Sequence, residues 1–188
     1  MNKLVTLLGL ATLVVFGLGG VFIIEYFQEK DFLSVLLKGW EIPLQVLIGI
    51  AYGLFSAGIA WFIISRVIFT KERGFYKKMI SQLNLSNTKI IFISLSAGVG
   101  EEIFFRGAIQ PFLGVWLTAI AFVALHGYLN PTNWRMSIYG VAMVILMGGF
   151  GYLFEFVGLI TVMTAHTVFD IVLLKKLGDN QNDEIEQV

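Results

Sequence analysis

Apolar residues in this chain do not alternate with polar ones; they run in long blocks. Six blocks read out as membrane spans, at 4–24, 44–68, 89–110, 115–129, 136–154 and 158–176. Most approach the ~20 apolar residues that a helix needs to cross a bilayer, and the fourth is short. Polar punctuation separates them. Pro43 stands at the start of the second, where a missing amide proton costs nothing. Gln110-Pro111 ends the third, and Asn130-Pro131-Thr132-Asn133 is a turn and cap cluster between the fourth and fifth. Gly49, Gly53 and Ala57 give the second span a small-residue face of the kind that packs closely against a neighbouring helix. The predicted fold class is therefore all-α, a polytopic helical membrane bundle of about six transmembrane helices. It forms one unit over residues 1–178, followed at 179–188 by an acidic tail too polar to pack and expected to be disordered. No direct or inverted repeat is visible.

Composition agrees with the pattern. Hydrophobic residues make up 57% of the 188, above the roughly 45–50% of a soluble domain. Thirteen basic and 13 acidic residues leave no net charge, so no nucleic-acid partner is implied. The absence of cysteine excludes thiol catalysis, disulfides and palmitoylation. Met1-Asn2-Lys3 ahead of an apolar run to Ile24 resembles a signal peptide, but the run is longer than an ordinary hydrophobic region and more spans follow, so an uncleaved first span is expected.

The loop charges set an orientation. Lys3, the linker residues Lys71, Arg73, Lys77, Lys78 and Lys89, then Arg135, Lys175 and Lys176 all fall on one side. Glu25, Glu29, Asp31, Glu41 and Glu155 fall on the other, with Lys30 and Lys38. The basic side is the cytoplasmic one, which places both termini in the cytoplasm. The 70–88 linker mixes Phe75, Tyr76, Met79, Ile80 and Leu83 with lysines and reads either as an interfacial helix or as a solvated loop.

Against this apolar background six residues stand out: Glu101, Glu102 and Arg106, then His126, then His166 with Asp170. An ionisable group at bilayer depth costs roughly 2.5–3.5 kcal/mol on insertion scales and is usually functional. Both histidines of the chain belong to the set. Glu102 and Arg106 are four apart and share a helix face. Glu101 is rotated about 100° away, so its partners come from another helix. The split points to a structural Glu102 and a reactive Glu101. Counted from the span ends at ~1.5 Å per residue, Glu101 and His126 both lie ~16–18 Å deep, near mid-membrane. Asp170 shares a face with His166 and is placed to fix its tautomer.

The pattern Glu101-Glu102-x-x-x-Arg106-Gly107, Phe122-x-x-x-His126 and His166-x-x-x-Asp170 resembles the three motifs of the CAAX protease and bacteriocin-processing (CPBP, or Abi) family of intramembrane endopeptidases, over about residues 85–175. The resemblance implies that Glu101 is the general base, with His126 as its partner, and that Glu102 pairs with Arg106. It implies that His166 and the residue at 170 stabilise the oxyanion. Many members carry Asn at that last place. An ionised carboxylate cannot donate to an oxyanion, so Asp170 is either protonated by burial or only orients His166. The cofactor is either none or zinc; if a metal is present, Glu101, His126 and His166 are its ligands, leaving an open position. The implied substrates are membrane-associated, hydrophobic or lipidated peptides, met within the lipid bilayer. Two other readings are a small proton-coupled transporter and a non-catalytic immunity or binding member of the family.

Overall fold

The computed structural model describes residues 3–178; the expected acidic tail lies outside the described residues. The first helical stretch runs as α1 (Lys3–Thr12), a π-helical segment Leu13–Leu18 and α2 (Gly19–Tyr26). A short helix α3 (Phe32–Leu36) leads to α4 (Ile42–Ile64), with Pro43 in its first turn. The linker reads as α5 (Thr70–Gln82), so the interfacial segment is helical rather than a loop. Then come α6 (Asn87–Glu102), a second π-helical segment Ile103–Ile109, α7 (Gln110–Leu125), α8 (Trp134–Phe156) and α9 (Leu159–Gly178).

The span count differs from the expected six. Among the described residues, four helical stretches are long and apolar enough to cross a membrane: Lys3–Tyr26, Ile42–Ile64, Asn87–Leu125 and Trp134–Phe156. The third and fourth expected spans are one run. The chain continues through Gln110-Pro111 and breaks at Gly114, whose φ of 74° is open to glycine but strained for other residues. Beyond it, Val115–Leu125 rises only ~16 Å, about half the ~30 Å hydrocarbon thickness. The expected span at 115–129 is thus a half-length helix that stops at His126. The sixth, α9, has the length but carries Asp170, Lys175 and Lys176.

The outer surface is that of a membrane protein. Leu7, Leu47, Phe62 and Ile145 are each 60% or more exposed, and such side chains line the bundle far beyond the apolar patches of soluble monomers.

Helix α9 lies between two faces built from small residues. On α4, a Cβ on Gly53 would stand 2.6 Å from the Ala165 carbonyl oxygen, and one on Gly49 would stand 2.5 Å from that of Thr161. On α6, a Cβ on Gly98 would stand 2.8 Å from the Met163 oxygen. The small-residue face of α4 therefore packs against α9, the helix that carries His166. Gln45, fully buried on α4, fastens the same pair by accepting from the Thr161 amide at 3.3 Å and donating to the Trp40 carbonyl at 2.8 Å.

The two π-helical segments meet. Phe16 in the first contacts Phe104 and Phe105 in the second, with ring centroids 5.3 and 6.0 Å apart. Such segments occur most often at functional sites, and the second one begins directly after Glu102.

Candidate active site

All six singled-out polar residues come together at one place. Glu101 and Glu102 end α6, and Arg106 sits within the π-helical segment that follows. The break at Gly114 brings α7 back along this stretch, so His126, at the end of α7, meets Glu101. Glu101 Oε2 and His126 Nε2 are 3.4 Å apart. His126 Nδ1 donates to the Phe122 carbonyl at 2.8 Å. A carbonyl only accepts, so Nδ1 carries a proton; Nε2, facing the carboxylate, is a donor when the ring is charged and an acceptor when it is neutral. Phe122 also stacks on the imidazole, with centroids 4.2 Å apart.

The second carboxylate has two partners rather than one. Glu102 Oε2 lies 3.2 Å from Arg106 Nε, as the four-residue spacing predicts. Both groups are fully buried, yet the contact is not aligned as a hydrogen bond, so it acts as a charge pair. Arg106 also donates to the Met147 carbonyl at 3.4 Å. The other Glu102 oxygen accepts from His166 Nδ1 at 2.8 Å. Of the two roles expected for Asp170, the orienting one is filled here by Glu102, which holds the His166 tautomer. Asp170 Oδ2 stands 3.7 Å from His166 Nε2, beyond a hydrogen bond.

His126 sits at the end of the half-length helix with its side chain 34% exposed, whereas Glu101 is 13% exposed. The site lies at the C-terminal end of α7 and opens to the surface at His126. A cavity of about 140 Å³ is lined by Glu101, His126, His166 and Asp170 on one part of its wall, and by Val123, Met143, Met147 and Phe169 on another. Tyr128, which the sequence reading passed over, also lines it. Its ring lies nearly parallel to His126, at 9° with centroids 6.3 Å apart. Burial pushes the phenols of Tyr128 and Tyr76 up from their ordinary range, so both stay neutral.

The zinc alternative fits poorly. Among the described residues, no three His, Cys, Asp or Glu side chains gather closely enough to hold a metal ion. The two imidazoles of the trio Glu101, His126 and His166 are held instead by different carboxylates, His126 by Glu101 and His166 by Glu102.

Gln110 and Met147 carried no signal in the sequence. Gln110 is buried in α7 and donates to the Gly151 carbonyl at 3.0 Å and to Glu155 at 3.2 Å. Met147 meets Arg106 across 41 positions of sequence. Both ties depend on how α8 packs, which no local pattern reveals.

Together these features define a class: a multi-pass helical membrane protein with carboxylates, imidazoles and a guanidinium buried among its helices. Residues 84–172 match the family described as Rce1-like, type II CAAX prenyl endopeptidase. That segment, just under half of the chain, holds all six site residues and is what the chain shares with this family of membrane proteases. It is also similar to the uncharacterized protein YpbD of Bacillus subtilis (strain 168), at 36% identity over 103 residues, 54% of this chain and 51% of the relative. The chain therefore spans about half the length of that relative. No solved structure matches the chain.

Proposed function

We propose that the protein is an intramembrane endopeptidase that hydrolyses a peptide bond in a hydrophobic or lipidated peptide, with water activated by Glu101 and His126. The observation that carries this reading is the convergence of two groups able to take up a proton, Glu101 Oε2 and, in the neutral ring, His126 Nε2, 3.4 Å apart on the cavity wall. Two such groups facing one another call for a donor, and a water molecule placed against both would be polarised for attack.

The steps follow from the residues. Water gives a proton to the Glu101–His126 pair as its oxygen attacks the scissile carbonyl. The carbonyl oxygen becomes an oxyanion on the side of His166 and Asp170. His166 Nδ1 is committed to Glu102, so only the doubly protonated ring donates from Nε2. Charge balance favours that state, because Glu101, Glu102 and Asp170 face a single fixed cation, Arg106, and buried charge is costly unless paired. Asp170 joins as a donor when protonated. Collapse of the intermediate breaks the C–N bond, and the proton held by the Glu101–His126 pair passes to the leaving amine. No step requires a metal.

Arg106 and Glu102 position these groups: Arg106 balances Glu102, and Glu102 orients His166. The test is to incubate the purified protein in nanodiscs with prenylated and unmodified peptides and to identify new termini by mass spectrometry. Defined cleavage products support the reading, and intact peptides of both kinds contradict it.

A further inference from the structure

Helix α5 is not part of the hydrolytic machinery, yet it is joined to it. Its exposed face consists of Lys71, Gly74, Phe75, Lys78 and Met79, with Phe75 65% and Met79 42% exposed. Val67 and Ile68, just before the helix, extend the apolar surface. The one carboxylate of α5, Glu72, is turned inward and is only 5% exposed. The outward face thus offers cations and apolar side chains without an acid, which complements a negatively charged lipid surface.

The inward face leads to the site. Glu72 accepts from Asn133 Nδ2 at 3.1 Å. The same Asn133 caps α8 through the Met136 amide at 3.1 Å, so this bond ties α5 to the loop that follows His126. Tyr76 contacts Tyr128, with centroids 6.2 Å apart, and Tyr128 lies against His126. Phe69 and Tyr139 brace the array, since Tyr139 contacts both Phe69 and Tyr128.

We propose that the outward face of α5 seats on anionic phospholipid headgroups and that this seating sets the position of His126 through Tyr76, Tyr128 and the Glu72–Asn133 bond. The lipid surface would act as a partner of the site. The inference takes His126 as a working site residue, and so rests on the proposed function for its meaning, but its test does not depend on cleavage.

The native chain lacks cysteine, so Gly74→Cys gives a single labelling position, and nothing lies within 4 Å of a Cβ placed there. A spin label at this position is read in nanodiscs of phosphatidylcholine alone and in nanodiscs containing phosphatidylglycerol. The expected result is greater access to oxygen and less to a polar relaxation agent with the anionic lipid. Lys71→Gln with Lys78→Gln should reverse that, lowering the seated-to-unseated ratio by about 30-fold, or about 5-fold for each lysine. A label equally immersed in both lipids, or unmoved by the double substitution, overturns the charged seat.

The coupling is read by NMR of the two ¹⁵N-labelled histidines. The His126 signals should differ between the lipids in the wild type, and the difference should vanish in Tyr76→Leu, whose α5 still seats. His126 signals that ignore lipid composition overturn the coupling. A failure to cleave any peptide would refute the proposed function and leave both readouts standing.

Discussion

Replacing Arg106 by Met tests the inner half of the site. Arg106 and Glu102 are both fully buried, with Nε and Oε2 3.2 Å apart. The substitution keeps much of the volume and removes the fixed cation. Glu102 is left with His166 as its only partner, and a buried pair broken from one side costs about 3–5 kcal/mol. Glu101→Gln removes a charge that is 13% exposed and whose partner, His126, is 34% exposed; a pair open on one side is worth about 1 kcal/mol, the top of the range for exposed pairs. At about 2–4 °C per kcal/mol for a chain of this size, Arg106→Met should lower Tm by roughly 6–20 °C and Glu101→Gln by no more than about 4 °C. The double variant Arg106→Met with Glu102→Gln should recover part of the loss, because both charges are then gone. Recovery stays incomplete because Glu102 also accepts from His166 at 2.8 Å. The assay is thermal unfolding in one detergent, followed by intrinsic fluorescence. Equal melting temperatures for the two single variants, or a double variant less stable than Arg106→Met, would refute the buried pair.

Other outcomes follow from the same geometry. His126→Ala should slow peptide cleavage by about 10²- to 10⁴-fold, the scale of a lost general acid–base group, with Tm near wild type in the unfolding assay. Asp170→Asn should keep or raise activity and flatten any fall in rate at high pH, since an amide donates without a proton; a loss as large as in Asp170→Ala, read from pH–rate profiles, would remove the donor role. Cleavage should persist after treatment with a strong chelator, and loss restored by added zinc would reinstate the metal alternative. Tags at both termini and in the 70–88 linker should report the cytoplasmic side and tags near 30–38 the other; a linker reached only from outside would overturn the charge-based orientation.

What the sequence could show depended on distance along the chain. The Glu102–Arg106 pair was legible because four residues on a helix fix a shared face. The need of Glu101 for a partner on another helix was legible for the same reason. The bond from Glu102 to His166 was not, because it requires α6 to pack closely on α9 at Gly98, a tertiary fact. Spacing left Asp170 two roles, donor or orienter of His166, and could not show that its carboxylate stops 3.7 Å from Nε2. The hydrophobic blocks gave the helices, but two apolar blocks joined by a few residues do not say where the chain between them turns. Pro111 looked like the stop, yet proline is tolerated in a first helical turn, and the break falls at Gly114. The π-helical segments were invisible, since one extra residue in a turn leaves no mark on so apolar a pattern. Tyr128 escaped notice because an aromatic residue at the end of a span reads as an interface anchor.

The most direct test compares wild-type protein with Glu101→Gln in peptide cleavage under single-turnover conditions, in the same nanodiscs. The account predicts that the wild type releases product, while Glu101→Gln, with matched Tm and intact peptide binding, releases about 10²-fold less or none. Cleavage by Glu101→Gln at the wild-type rate would contradict it.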